Sequence, residues 1–123
     1  MSEHNEQAAV VNWFNIKYAG VSHFLMSYPS GTIIGGKNKW GAIAKFKKEG
    51  WKKGIPDLFL AIPKGENGGL WIEMKDKNKS EKNLSDEQKF YLHELSRFYK
   101  AIWCSGADEA IKAIEEYLHD SHT

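Results

Sequence analysis

Pro56-Asp57-Leu58-Phe59-Leu60-Ala61-Ile62 and, beyond a turn, Leu70-Trp71-Ile72-Glu73-Met74-Lys75 decide how this chain folds. Asp57 to Ile62 is nearly all apolar, as a strand covered on both faces requires. The link between the runs carries Gly65, Asn67, Gly68 and Gly69, a turn composition. Two strands joined by a loop of roughly five to seven residues make a β-hairpin. Strand side chains alternate, so Trp71, Glu73 and Lys75 share one face while Ile72 and Met74 share the other. With the turn centred near Glu66, Asp57 is expected opposite Lys75 and close to Glu73. Two carboxylates and one ammonium then gather at a half-buried end of the hairpin.

The flanking sequence supplies the remaining elements. Residues 4–18 carry Val10, Trp13, Phe14, Lys17 and Tyr18 at helical spacing. Residues 21–28 read as a strand stopped by Pro29-Ser30-Gly31, and the glycine-rich residues 31–36 as a loop. Residues 38–49 read as a helix ended by Gly50. Ser85 and Gln88, three apart, form a capping box for a further helix with Tyr91, Leu92, Leu95 and Tyr99 on one face. Residues 101–104 make a short buried strand, and Ser105 is placed to cap a last helix with Ala107, Ile111, Ile114 and Leu118 inward. The order αβαββαβα predicts an α/β fold, with helices flanking a mixed central sheet. The length, 123 residues, suits a single domain over 1–123.

Composition narrows the class. Apolar residues make up 41% and charged residues 27%, which excludes a disordered chain. No apolar run suits a membrane span, and the polar N-terminal residues do not resemble a signal peptide. Cys104 is the single cysteine, so an internal disulfide is excluded and a reducing, cytoplasmic location is expected. The five histidines show no ligand spacing. The net charge is +1, but residues 37–53 hold seven lysines against Glu49. From that block Lys37, Lys39, Lys45, Lys48, Lys52 and Lys53 are expected to hold phosphates of a nucleic acid. Trp40 and Trp51 flank the block and are candidates for stacking on a base.

Further polar groups lie on apolar faces. At about 100° per residue, Glu6 falls about 40° from Val10 and about 20° from Trp13. Glu3 lies near the same stripe, closer to the helix end, and Gln88 lies on the apolar face of its own helix. One lysine cannot neutralise three carboxylates, and a buried uncompensated charge costs several kcal/mol. A divalent cation resolves the conflict, and hard oxygen donors select Mg²⁺ or Mn²⁺ over zinc. Such an ion makes a bound water a better nucleophile and neutralises charge growing on phosphate oxygens.

Pro56-Asp57, fifteen residues, then Glu73-Met74-Lys75 is the PD-(D/E)xK nuclease signature. Gly50-Trp51-Lys52-Lys53-Gly54-Ile55-Pro56-Asp57-Leu58, Gly69 to Lys75, Leu84-Ser85-Asp86-Glu87-Gln88, Ala107-Asp108-Glu109-Ala110-Ile111 and Glu6-Gln7 together resemble its VRR-NUC (virus-type replication-repair nuclease) branch. The resemblance implies a restriction-endonuclease-like core and a Mg²⁺- or Mn²⁺-dependent endonuclease acting on DNA, often branched or four-way junction DNA. It also implies a homodimer of phage or prophage type, with no small-molecule cofactor. Carried over by position, Asp57, Glu73 and the Met74 carbonyl hold the metal, Lys75 is the catalytic lysine, Glu6 is the helix-one acid, with Glu3 its rival for that place, and Gln88 lies behind the site. Pro29-Ser30-Gly31 stands where this branch often has Pro-Asn-Gly. Competing readings are a non-catalytic nucleic-acid-binding module, a nuclease of DNA ends or flaps, and a protein-interaction domain with a structural Glu73–Lys75 pair.

Overall fold

The computed structural model describes residues 2–29 and 39–119; the expected 31–36 loop and Lys37 lie outside the described residues, as does the side chain of Lys39. Among the described residues, helices α1 (Glu3–Lys17), α2 (Lys39–Lys48), α3 (Asp86–Leu95) and α4 (Ala107–His119) and strands β1 (Leu25–Ser27), β2 (Leu58–Leu60), β3 (Leu70–Lys75) and β4 (Lys100–Ser105) follow one another in the order α1-β1-α2-β2-β3-α3-β4-α4. The sheet order is β1-β2-β3-β4, with β1–β2 and β2–β3 antiparallel and β3–β4 parallel. This is the expected mixed α/β architecture in the expected αβαββαβα order. Among the described residues no helix is long and apolar enough to cross a membrane.

Alternation along β2 and β3 sorts the two sheet faces. Leu58, Leu60, Leu70, Ile72 and Met74 are fully buried and join Val10 and Phe14 of α1 with Ala110, Ile114 and Tyr117 of α4 in one core. The opposite face carries Phe59 stacked on Trp71, ring centroids 4.3 Å apart, with Tyr99 edge-on to both. Cys104 is buried against the core, and burial pushes its thiol up to about 12, as for a packed and unreactive side chain.

Two expected elements differ. Residues 19–24 form 3₁₀ turns, so the first strand begins only at Leu25. A short apolar run of this length does not by its periodicity separate helical turns from a strand. The hairpin is also centred one residue earlier than expected. Leu58 pairs with Ile72 and Leu60 with Leu70, so Asp57, one residue beyond the ladder, lies beside Glu73 rather than opposite Lys75.

Glu6 is 2% exposed, as its position on the apolar stripe of α1 implies. Its carboxylate accepts a hydrogen bond from the backbone N–H of Ala107, the first residue of α4. It therefore caps a helix from the far end of the chain, where an anion also meets the positive end of the helix dipole. Ser105, expected to be that cap, instead donates its hydroxyl to the Asp76 carbonyl at 3.0 Å. Gly106 makes the arrangement possible. Its φ is +88°, and a Cβ there would lie 2.8 Å from Glu6 Oε2. Glu6→Ala leaves the Ala107 N–H buried without an acceptor and should cost about 1–3 kcal/mol of stability in chemical denaturation. Glu6→Gln keeps an acceptor and should cost less; equal stability of the alanine variant and the parent would refute the capping role.

Candidate metal centre

Three carboxylates converge at the open end of the hairpin. Glu3, Asp57 and Glu73 each offer an oxygen, and these atoms lie within 4.8 Å of one another. Each comes from a different element: the first turn of α1, the residue preceding β2, and β3. Ser2 sets the helix start, its hydroxyl accepting from Asn5 N–H at 3.1 Å, and so brings Glu3 into the first turn. Asp57 is fixed by the Met74 N–H, which donates to its Oδ2 at 2.8 Å. A strand residue turns its N–H and C=O toward the same neighbour. The Met74 carbonyl therefore faces the same side as Asp57, beyond the last pair of the β2–β3 ladder.

Glu73 is 1% exposed and is the most enclosed of the three. Gln88 Nε2 donates to its Oε2 at 3.1 Å. The capping box orients that amide. Gln88 Oε1 accepts from Ser85 N–H at 2.9 Å and Ser85 Oγ from Gln88 N–H at 3.1 Å, which leaves Nε2 to face Glu73. Lys75 Nζ lies 3.8 Å from Glu73 Oε2, and its side chain is 11% exposed.

One ammonium does not balance this charge. Burial raises the carboxyl pKa of Glu73, helped by the negative charge of Asp57 and only partly opposed by Lys75. Burial likewise raises Asp57, against the Met74 N–H, and burial raises Glu3, against Lys75. The Asp57 and Glu73 oxygens lie within 4.8 Å, and their repulsion favours keeping a proton on the pair. A divalent cation held by three hard oxygen donors would replace that proton, so the residues present fit Mg²⁺ or Mn²⁺.

The site residues expected from sequence divide into those brought together here and those that are not. Asp57, Glu73, Lys75 and Gln88 lie together with Glu3, whereas the Glu6 carboxylate is bonded to the Ala107 N–H and is not one of the three clustered carboxylates. Glu3, Asp57 and Glu73 line a cavity of about 500 Å³ that Lys47, Lys52 and Lys53 also line. Lys45 and Lys48 point elsewhere on α2 and do not line it. Lys47 falls outside the set expected from the lysine block; its seven-residue spacing from Trp40 is the signal that places both on one helical face. The Lys52–Lys53 loop is held by Lys52 N–H donating to Tyr28 Oη and Trp51 Nε1–H donating to the Pro29 carbonyl, both at 2.8 Å. Gly54, with φ +94°, lets this loop close on α3, because a Cβ would lie 2.6 Å from Glu87 Cβ.

The raised carboxyl pKa of Glu73 has a definite sign. A group whose folded pKa lies above its unfolded value contributes stability at low pH that is lost as pH rises through the folded pKa. In chelator, the protein should therefore lose this contribution from the ordinary carboxylate range upward. Glu73→Gln should melt progressively higher relative to the parent as pH is raised from about 5 to 8. A pH-independent difference in Tm would contradict the uncompensated charge.

Known proteins bear on this geometry. The VRR-NUC domain profile matches residues 1–108. A solved VRR_NUC domain protein is 30% identical to this chain, with a TM-score of 0.78, and the match covers 96% of this chain and 88% of that one. No curated protein matches. With its fold and nearly its whole length matched in this way, the chain belongs to the VRR-NUC domain family, a PD-(D/E)xK-type nuclease family.

Proposed function

We propose that this chain is a divalent-metal-dependent endodeoxyribonuclease that hydrolyses phosphodiester bonds in DNA. The convergence of Glu3, Asp57 and Glu73 beside the buried ammonium of Lys75 carries this reading. Those three carboxylates, with the Met74 carbonyl, would hold Mg²⁺ or Mn²⁺. When bound, such an ion makes water more acidic and offsets charge that builds on the phosphate oxygens.

The protein's own groups divide the remaining work. Lys75, whose ammonium faces Glu73, attracts the scissile phosphate and holds a proton at Nζ that hydrogen-bonds the attacking water. Gln88 is a positioning residue: it acts through Glu73, whose Oε2 it holds. Lys47, Lys52 and Lys53 line the same cavity and supply phosphate contacts without sequence readout. The preference for branched DNA, four-way junctions included, and the pairing of two chains as a homodimer rest on the family resemblance.

A panel of linear, nicked, flapped and four-way DNA, incubated with Mg²⁺ or Mn²⁺ and with chelator, tests the reading. Cutting should require the cation and favour branched forms. Lys75→Ala should abolish cutting and leave DNA binding largely intact. Normal turnover by that variant, or binding with no cutting of any substrate, would refute the mechanism; the latter would leave a binding module. Separately, Lys47, Lys52 and Lys53 changed together to Gln should flatten the dependence of log affinity on log salt by roughly 0.9 for each phosphate no longer neutralised. An unchanged slope would remove them from the interface.

A further inference from the structure

Trp40 is 78% exposed, a large departure for a residue type that is highly buried on average. It stands on the α2 face that also presents Ile43 and Lys47, at i, i+3 and i+7, and all three line the cavity that holds Asp57 and Glu73. Tyr28 and Trp51 line the same cavity, and Trp51 is anchored by its bond to the Pro29 carbonyl. The cavity is thus divided in character. One part of its lining, Glu3, Asp57 and Glu73, is anionic and suited to a cation and a phosphate. Another part, Trp40, Ile43, Tyr28 and Trp51, is aromatic and apolar, with Lys47 one turn beyond Ile43.

A volume of about 500 Å³ falls within the range of small-ligand sites, roughly 300–1,000 Å³. That is room for a nucleotide, not for a base pair in its stack. In duplex DNA the base faces are covered by their neighbours, so an indole cannot reach one unless the nucleotide is unpaired or extruded. A phosphate seated at the carboxylates lies in the same cavity as these aromatic side chains. The geometry points to Trp40 as a stacking platform for an unpaired base adjoining the scissile phosphate. The enzyme then selects DNA with unpaired nucleotides at the cut. This inference rests on the nuclease reading of the site and names the feature of branched DNA that the site grips.

The test separates stacking from cutting. Lys75→Ala in Mg²⁺ is mixed with a duplex containing a short unpaired bulge labelled with 2-aminopurine, or with the same duplex fully paired. Binding should quench the 2-aminopurine. Adding Trp40→Ala should remove the quenching and weaken binding of bulged DNA by roughly 5- to 160-fold, with little change for paired DNA. Trp40→Phe should restore most of both signals. In the otherwise unaltered enzyme, Trp40→Ala should lower kcat/KM for bulged DNA relative to paired DNA. An equal loss on both DNAs, or no loss, or no quenching, would overturn the stacking role. If Trp40-dependent quenching is seen and the parent chain cuts nothing, stacking stands and the nuclease reading fails.

Discussion

Burial of Asp57 and Glu73 side by side, with Lys75 as the near counter-charge, is the constraint on which the rest of the structure turns. Two adjacent carboxylates at the end of a sheet are unfavourable unless a proton or a cation joins them. The fold does not relieve this; it enforces it. The Met74 N–H fixes Asp57, Gln88 fixes Glu73, and Ser2 sets the start of α1 so that Glu3 adds a third oxygen. Each of these bonds orients an acceptor without supplying a positive charge. Such an arrangement is costly for a purely structural purpose and suits one that must capture an ion.

The two glutamates of α1 show how one helix serves both ends of this problem. Glu3 and Glu6 are three residues apart, on neighbouring faces of one turn. Glu6 turns inward and caps α4, which joins α1 to the sheet's other covering helix. Glu3 reaches the carboxylate pair. The first holds the helix against the core, and that docking carries the second to the site. The glycine turn at Gly106 gives this buried acid a backbone partner in the Ala107 N–H.

Much of this was legible in the chain itself. The element order followed from apolar periodicity, and the hairpin from its glycine-rich turn. The Ser85–Gln88 capping box forms as its spacing implies. Three features were not legible, for separate reasons. The hairpin register depends on where the turn is centred. Lys64 and Asn67 pair across it, while the ladder beyond Pro63 is offset, because proline has no N–H to continue the pairing. The choice between Glu3 and Glu6 depends on a bond to Ala107, about a hundred residues away, that no local pattern contains. The lysine block was visible as charge, but which lysines face the cavity depends on the rotation of α2, which selects Lys47 and turns Lys45 and Lys48 aside.

The most direct test of the central claim is a crystal of the protein equilibrated with Mn²⁺, measured for anomalous scattering. The account predicts a peak bonded to Asp57, Glu73 and Glu3, with Glu6 still on the Ala107 N–H. No peak at the hairpin end, or a manganese ion bound by Glu6 in place of Glu3, would contradict it.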